Sequence, residues 1–146
     1  MVTESKNLLL KDLGGRILYG VKCEINDNKP YTLSKISNDY DGVLIGFKEQ
    51  KNGFNMEVYI SEVKPYLYPL SSISEKQNEE LKKIFPVSYS IDLNDDSGDI
   101  LIYDNEPYVL LEYYEKFIDF CHKYHFDYRG LIKMGLAIDC SNLNVY

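Results

Sequence analysis

Four stretches in the first half of the chain alternate apolar and polar residues with period two, the signature of strands with one buried face. Val21, Cys23 and Ile25 form the first, and Asp27-Asn28-Lys29-Pro30 turns the chain. Tyr31-Thr32-Leu33 leads through Ile36 to a second turn at Asn38-Asp39-Tyr40-Asp41-Gly42. Val43, Ile45 and Phe47 alternate next, and Lys51-Asn52-Gly53 carries a hairpin signal. Phe54, Met56, Val58 and Ile60 close the run. Together these predict a small antiparallel β-meander or partial barrel. Ahead of it, residues 7–13 read as a short amphipathic helix stopped by Gly14-Gly15 and covering one end of the sheet, with a frayed polar stretch at 1–6.

The second half has helical periodicity. Val63-Lys64-Pro65-Tyr66-Leu67-Tyr68-Pro69-Leu70 is the link, and each proline pushes the residue before it toward extended geometry. It is expected to cross the sheet edge. Ser74 and Gln77 form a capping box, opening a helix with Leu81, Ile84 and Phe85 on its apolar side and Pro86 at its end. Val87, Tyr89, Ile91 and Leu93 alternate, an acidic turn runs from Asn94 to Asp99, and Ile100-Leu101-Ile102-Tyr103 follows. This reads as a hairpin, with an excursion from the core as the competing view.

Asp104-Asn105-Glu106-Pro107 supplies a cap and early proline for the longest helix, about 108–125. Leu110, Leu111, Tyr114, Phe117, Ile118, Cys121 and Tyr124 make its apolar face. Glu112, Glu115, Lys116, Asp119, His122 and Lys123 make its wet one. A short closing helix is expected after His125-Phe126, with Asp127 as its cap and Gly135 as its left-handed stop. Leu131, Ile132, Met134 and Leu136 require that element to dock. The class is α+β, with residues 1–146 as one domain. Residues 7–61 hold the first helix and the meander, 62–106 the connecting segment, a helix and the hairpin or excursion, and 107–139 the long helix and the closing one.

A chain of 146 residues suffices for one core and is short for two. Its net charge of −7 argues against binding nucleic acid through a basic patch and leaves open a basic protein partner. No apolar run approaches twenty residues and no charged-then-apolar leader precedes one, so neither a membrane span nor a secretion signal is expected. Three widely spaced cysteines, Cys23, Cys121 and Cys140, fit reduced buried thiols in a cytoplasm. The chain holds 14 Tyr and no Trp, which fills a half-buried core or lines a ligand surface.

Candidate chemistry is sparse. Asp92-x-Asn94-x-Asp96-Ser97-Gly98 alternates oxygen ligands, but Ser97 and Tyr103 stand where a calcium loop needs Gly and Glu. Cys121, His122, His125 and Cys140 suggest zinc, yet Cys121 belongs to the apolar stripe and no CxxC pair occurs. No metal or other cofactor is expected, and no nucleophile–base–orienter set stands out. The binding candidates are Lys64, Tyr66 and Tyr68 on the extended segment, with Tyr128 and Arg129 on the closing helix. Rings stack on flat ligands and Arg recognises anionic groups. Arg129, bare Gly130 and the exposed amides of a helix start would make an anion site. Packing between the halves, and a salt bridge from Arg129 to an acid of the long helix, is the alternative.

Leu8-Leu9-Leu10-Lys11-Asp12-Leu13, Tyr19-Gly20-Val21, Tyr31-Thr32-Leu33, Val63-Lys64-Pro65-Tyr66-Leu67-x-Pro69-Leu70-Ser71-Ser72 and Phe126-Asp127-Tyr128-Arg129-Gly130-Leu131-Ile132-x-x-Gly135-Leu136-Ala137 form a set of islands. In them the chain resembles a family of short uncharacterised proteins from phages, prophages and mobile elements of gut Bacteroidetes. Gly14-Gly15 departs from the Cys-Ala-type pair of that group, and residues 86–106 are longer than its usual length. The resemblance implies a phage or mobile-element accessory protein in a bacterial cytoplasm, non-enzymatic and binding a host protein, including one of host defence. A pocket protein sequestering a small anionic ligand such as a signalling nucleotide is the second expectation, and an unrecognised enzyme the third.

Overall fold

The computed structural model describes residues 2–48, 56–84, 90–92, 101–103 and 110–146. The fold is α+β. Among the described residues, three helices accompany a seven-stranded, mostly antiparallel sheet and a separate two-stranded ribbon. The expected meander is its spine: β1 (Lys22–Glu24), β2 (Tyr31–Asp39), β3 (Gly42–Phe47) and β4 (Glu57–Tyr59) pair antiparallel in order. At the β2–β3 turn, Asp39 Oδ1 accepts from the amides of Asp41 (2.7 Å) and Gly42 (3.2 Å), leaving Tyr40 fully exposed at the tip. The Lys51-Asn52-Gly53 turn lies outside the described residues, while the Phe47 amide donates to the Met56 carbonyl across it (3.1 Å).

The proline-flanked link does not cross the sheet edge. It is β5 (Lys64–Pro69), inside the sheet. It pairs antiparallel with β1 and parallel with two short late strands, β8 (Phe126–Asp127) and β9 (Ile138–Asp139). Pro65 and Pro69 lack an N–H, but between them Tyr68 donates to the His125 carbonyl (2.8 Å) and the Leu67 carbonyl accepts from Cys140 (2.9 Å). The β1–β5 ladder reaches Cys23↔Pro65. One step on, the Tyr146 hydroxyl accepts from the Lys22 amide and donates to the Tyr66 carbonyl, both at 2.9 Å.

The first helix is longer than its sequence suggests: α1 (Val2–Arg16) runs through both glycines. A mid-helix glycine costs roughly 0.5–1 kcal/mol relative to alanine, so packing has to offset it. At Gly15 the reason is visible, because a Cβ would lie 2.7 Å from His122 Cε1. A 3-10 turn at Ile17–Tyr19 and left-handed Gly20 end the element. Leu9 and Leu13 of α1 pack on Val21, Cys23, Leu33, Ile45, Phe47 and Leu67 of the sheet, so α1 does cover it.

A second apolar cluster joins the helices. α2 (Glu75–Ile84) opens on the expected capping box, with Gln77 Oε1 accepting from Ser74 N (2.9 Å) and Ser74 Oγ accepting from Gln77 N (3.2 Å). Its Leu81 meets Phe117, Phe120 and Cys121 of α3 (Leu110–Lys123), together with Leu70 and Phe126. Two assignments on α3 are corrected. His122, expected on the wet face, is buried, and Tyr114, expected inside, is exposed. The apolar period of α3 registers one packing face, whereas α1 buries a second side of it through Gly15. Between α2 and α3, β6 (Ser90–Asp92) and β7 (Leu101–Tyr103) pair antiparallel, in keeping with the hairpin. Their turn, with most of the calcium-like loop, lies outside the described residues.

No closing helix forms. Residues 131–135 are turns, because Gly130 at φ 72° breaks the helical path. Asp127 takes up the local amides instead: its Oδ1 accepts from Leu131 (2.9 Å) and Arg129 (3.3 Å), and its Oδ2 from Ile132 (2.9 Å). Gly135 holds the left-handed conformation expected of it, φ 73°. Nothing crowds its missing Cβ, so Gly135→Ala isolates the backbone cost. We expect a loss of about 1 kcal/mol in chemical denaturation; an unchanged midpoint removes the strain argument.

Candidate functional site

The two apolar clusters meet at a buried polar corner assembled from both ends of the chain. Asp12 and Arg16 lie four apart on α1 and so share a face. Both are wholly buried, with Arg16 Nε donating to Asp12 Oδ2 at 2.8 Å. Arg16 Nη2 donates to the Phe126 carbonyl at 2.6 Å, which fixes α1 to β8. Arg129, from the turn after β8, brings Nε to 3.4 Å from Asp12 Oδ1. One carboxylate thus serves two guanidinium groups. Burial lifts the Asp12 carboxyl above its ordinary range, against the pull of Arg16 and then Arg129.

Around this ion pair stands a ring-lined wall. The guanidiniums of Arg16 and Arg129 lie 5.3 and 5.0 Å from the Tyr128 ring centre. The Tyr128 hydroxyl and His122 Nε2 share a hydrogen bond of 2.9 Å. The Tyr19 ring stands 5.5 Å from that of His122, and its hydroxyl donates to Asp119 Oδ1 at 3.3 Å. Burial, followed by the charge of Arg16, pushes His122 down to about 4, so its imidazole is neutral at physiological pH. Burial pushes the Tyr128 phenol up. Tyr19, Tyr128 and Arg129 reach solvent while Asp12, Arg16 and His122 hold them from below.

The five residues singled out by sequence do not form one site. Tyr128 and Arg129 come together in the corner. Tyr66 is buried in β5, and Tyr68 packs on Phe126 and Tyr146. Lys64 lies at the other end of β5, lining a shallow cleft with Glu24, Asn26, Asn28, Ser61 and Glu62. Arg129 does pair with an acid, but that acid is Asp12 of α1 rather than one of the long helix. The helix-start anion site is absent at this position, since there is no helix and the Asp127 carboxylate already occupies the amides. Asp12 and Arg16 escaped the sequence reading as site residues, and His122 entered it only on the wet face of the long helix and in the zinc set. The signal available was the i,i+4 spacing of Asp12 and Arg16, hidden by taking Gly14-Gly15 as a stop.

No family model, curated protein or solved structure matches this chain. Among the described residues, no three His, Cys, Asp or Glu side chains converge as a metal-holding group. Cys121 and Cys140 are buried free thiols, burial raising both, and His125 stacks on the Tyr146 ring with centres 3.7 Å apart. No helix among the described residues is long and apolar enough to cross a membrane.

Proposed function

We propose that this chain is a non-enzymatic binding protein of a phage or mobile element, acting on a host protein in a bacterial cytoplasm through the face around Tyr19, Tyr128 and Arg129. The observation that carries this reading is the pre-organisation of that face. Tyr and Arg are the residue types that dominate protein interfaces, and they contribute most where their conformations are fixed before contact. Here Tyr128 shares a 2.9 Å hydrogen bond with buried His122, Arg129 lies in a 3.4 Å ion pair with Asp12, and the Tyr19 hydroxyl reaches exposed Asp119 at 3.3 Å. Beside Tyr19, Leu18 is 92% exposed on its 3-10 turn, an aliphatic group that adds little to the fold. Rings, a guanidinium and an aliphatic side chain that reach solvent side by side suit a protein surface. The corner's two cations face Asp12, with Asp127 close by, and that balance supports protein contact over capture of a small anion. The family resemblance supports the phage origin.

Arg129→Ala is the test. Its side chain is 29% exposed, and Asp12 keeps its 2.8 Å bond to Arg16 without it. The 3.4 Å contact is not a hydrogen bond and Arg16 still neutralises buried Asp12, so the stability cost is expected to be about 1–2 kcal/mol. Wild type and variant are immobilised, exposed to a lysate of the bacterial host, and the bound fraction is analysed for protein and small molecules. We expect a protein captured by wild type and lost by the variant at a temperature where both are fully folded. If the variant melts several degrees lower and captures in proportion to its folded fraction, Arg129 is structural and the reading fails. Recovery of a small anionic molecule alone would transfer the site to the sequestering function.

A further inference from the structure

A separate surface lies where the chain leaves β4, the outermost strand of the meander, and enters β5 beside β1. The chain leaves β4 through a 3-10 turn at Ile60–Glu62, and a cleft opens on each side of that turn. The first, about 240 Å³, has an apolar and aromatic lining of Leu10, Val43, Tyr59 and Ile60, with Lys6 and Asp41 at its rim. The second, about 300 Å³, is polar and lined by Glu24, Asn26, Asn28, Glu62 and Lys64. Ser61 belongs to both walls, so the two clefts are consecutive along one strip.

The strip is acidic. Asp39, Asp41 and Glu62 all act electrostatically on the Tyr59 ring, and Glu24 faces Lys64 across the β1–β5 pairing. Asp41, Glu24 and Glu62 thus line the clefts with Lys6 and Lys64, and Asp39 stands beside Tyr59 with its Oδ1 taken by the Asp41 and Gly42 amides. Beyond them Tyr40 is fully exposed at the β2–β3 tip, and Tyr59 is partly exposed below it. Exposed rings beside carboxylates favour a guanidinium or ammonium whose alkyl stem lies on the ring while its charged head meets the acid. Two seats in series, one ring-walled and one acid-walled, fit successive side chains of an extended backbone better than a compact ligand.

We infer that this strip is a docking groove for an extended, arginine- or lysine-bearing segment of a partner protein. The groove shares no residue with the Tyr128–Arg129 corner, so either surface can fail without the other. The probe is a labelled decapeptide of alternating arginine and serine, compared with one carrying glutamate for arginine, followed by fluorescence anisotropy on the full chain. We expect the arginine peptide alone to bind, and to weaken about tenfold between 50 and 300 mM salt. The double variant Asp41→Lys with Glu62→Lys should weaken it tenfold or more, and so should Tyr40→Ala by a few-fold. Both acids and Tyr40 are solvent-exposed, and a matched melting temperature shows that folding is preserved. Arg129→Ala should bind it as wild type does. Equal binding of the two peptides, no binding at 50 mM salt, indifference to the double variant, or self-association that blocks the groove would each overturn the proposal.

Discussion

Asp12→Ala should cost about 3–5 kcal/mol, enough to leave a chain of this size largely unfolded near its former melting temperature. The magnitude follows from burial. Arg16 is wholly enclosed, and without Asp12 its charge keeps only the Phe126 carbonyl and the Tyr128 ring face. An uncompensated guanidinium cannot escape by losing its proton, since Arg remains charged in proteins. Arg129 cannot substitute, because it has the same sign. The companion variant Asp12→Leu with Arg16→Met discriminates the cause: removing both charges should recover much of the loss, short of full recovery because the Phe126 carbonyl is left without its donor. Denaturant melts of the three proteins settle it. A loss under about 1 kcal/mol in Asp12→Ala would mean that water reaches the pair.

The second large effect is pH-dependent stability. His122 and His125 are both held down to about 4, by burial first and then by the charge of Arg16. His122 faces Arg16 and Tyr19 from α1 and its following turn, Asp119 from its own helix, and Tyr128 and Arg129 from beyond β8. His125 faces Arg16, Lys22 and Tyr146. In the unfolded chain both imidazoles titrate near 6.5. Between there and 4 the unfolded state takes up protons that the folded state refuses, so stability present above pH 6.5 is lost as pH falls. At 1.36 kcal/mol per pKa unit the ceiling is about 3 kcal/mol for each, and lower for part-exposed His125. Asp12 works in the opposite direction, since its raised carboxyl is protonated more readily in the folded state, and it softens the slope near pH 4. Melting temperature should drop steadily from pH 7 to 4.5, and His122→Gln should flatten the profile. A level profile in wild type would show that the imidazoles are solvated.

Much of the fold was legible because it depends on local chemistry. The β2–β3 turn needed only Asp39 and Gly42, and the start of α2 needed only Ser74 and Gln77. The errors share another origin. Gly14-Gly15 reads as a stop by propensity, yet Gly15 is where a histidine ring 107 positions later must fit. Lys64, Tyr66 and Tyr68 read as a surface segment because prolines flank it, yet β8 and β9 supply pairing partners from more than fifty residues away. Asp127 reads as a helix cap, and it does collect amides, but Gly130 bends the backbone so that they arrive from a turn. The corner itself was half visible: Tyr128 and Arg129 are local to their motif, whereas Asp12, Arg16 and His122 acquire meaning only when α1, α3 and β8 converge.

The Tyr146 hydroxyl between Lys22 and Tyr66 has a consequence for how the molecule opens. A side chain there performs the work of a backbone rung, so the seam between β1 and β5 is completed from a distant part of the sequence. Fraying of the segment around Tyr146 uncovers the Lys22 amide and frees one face of the His125 ring in the same event. Amide exchange at Lys22 is thereby expected to follow detachment of residues 123 positions or more away, the two regions opening together.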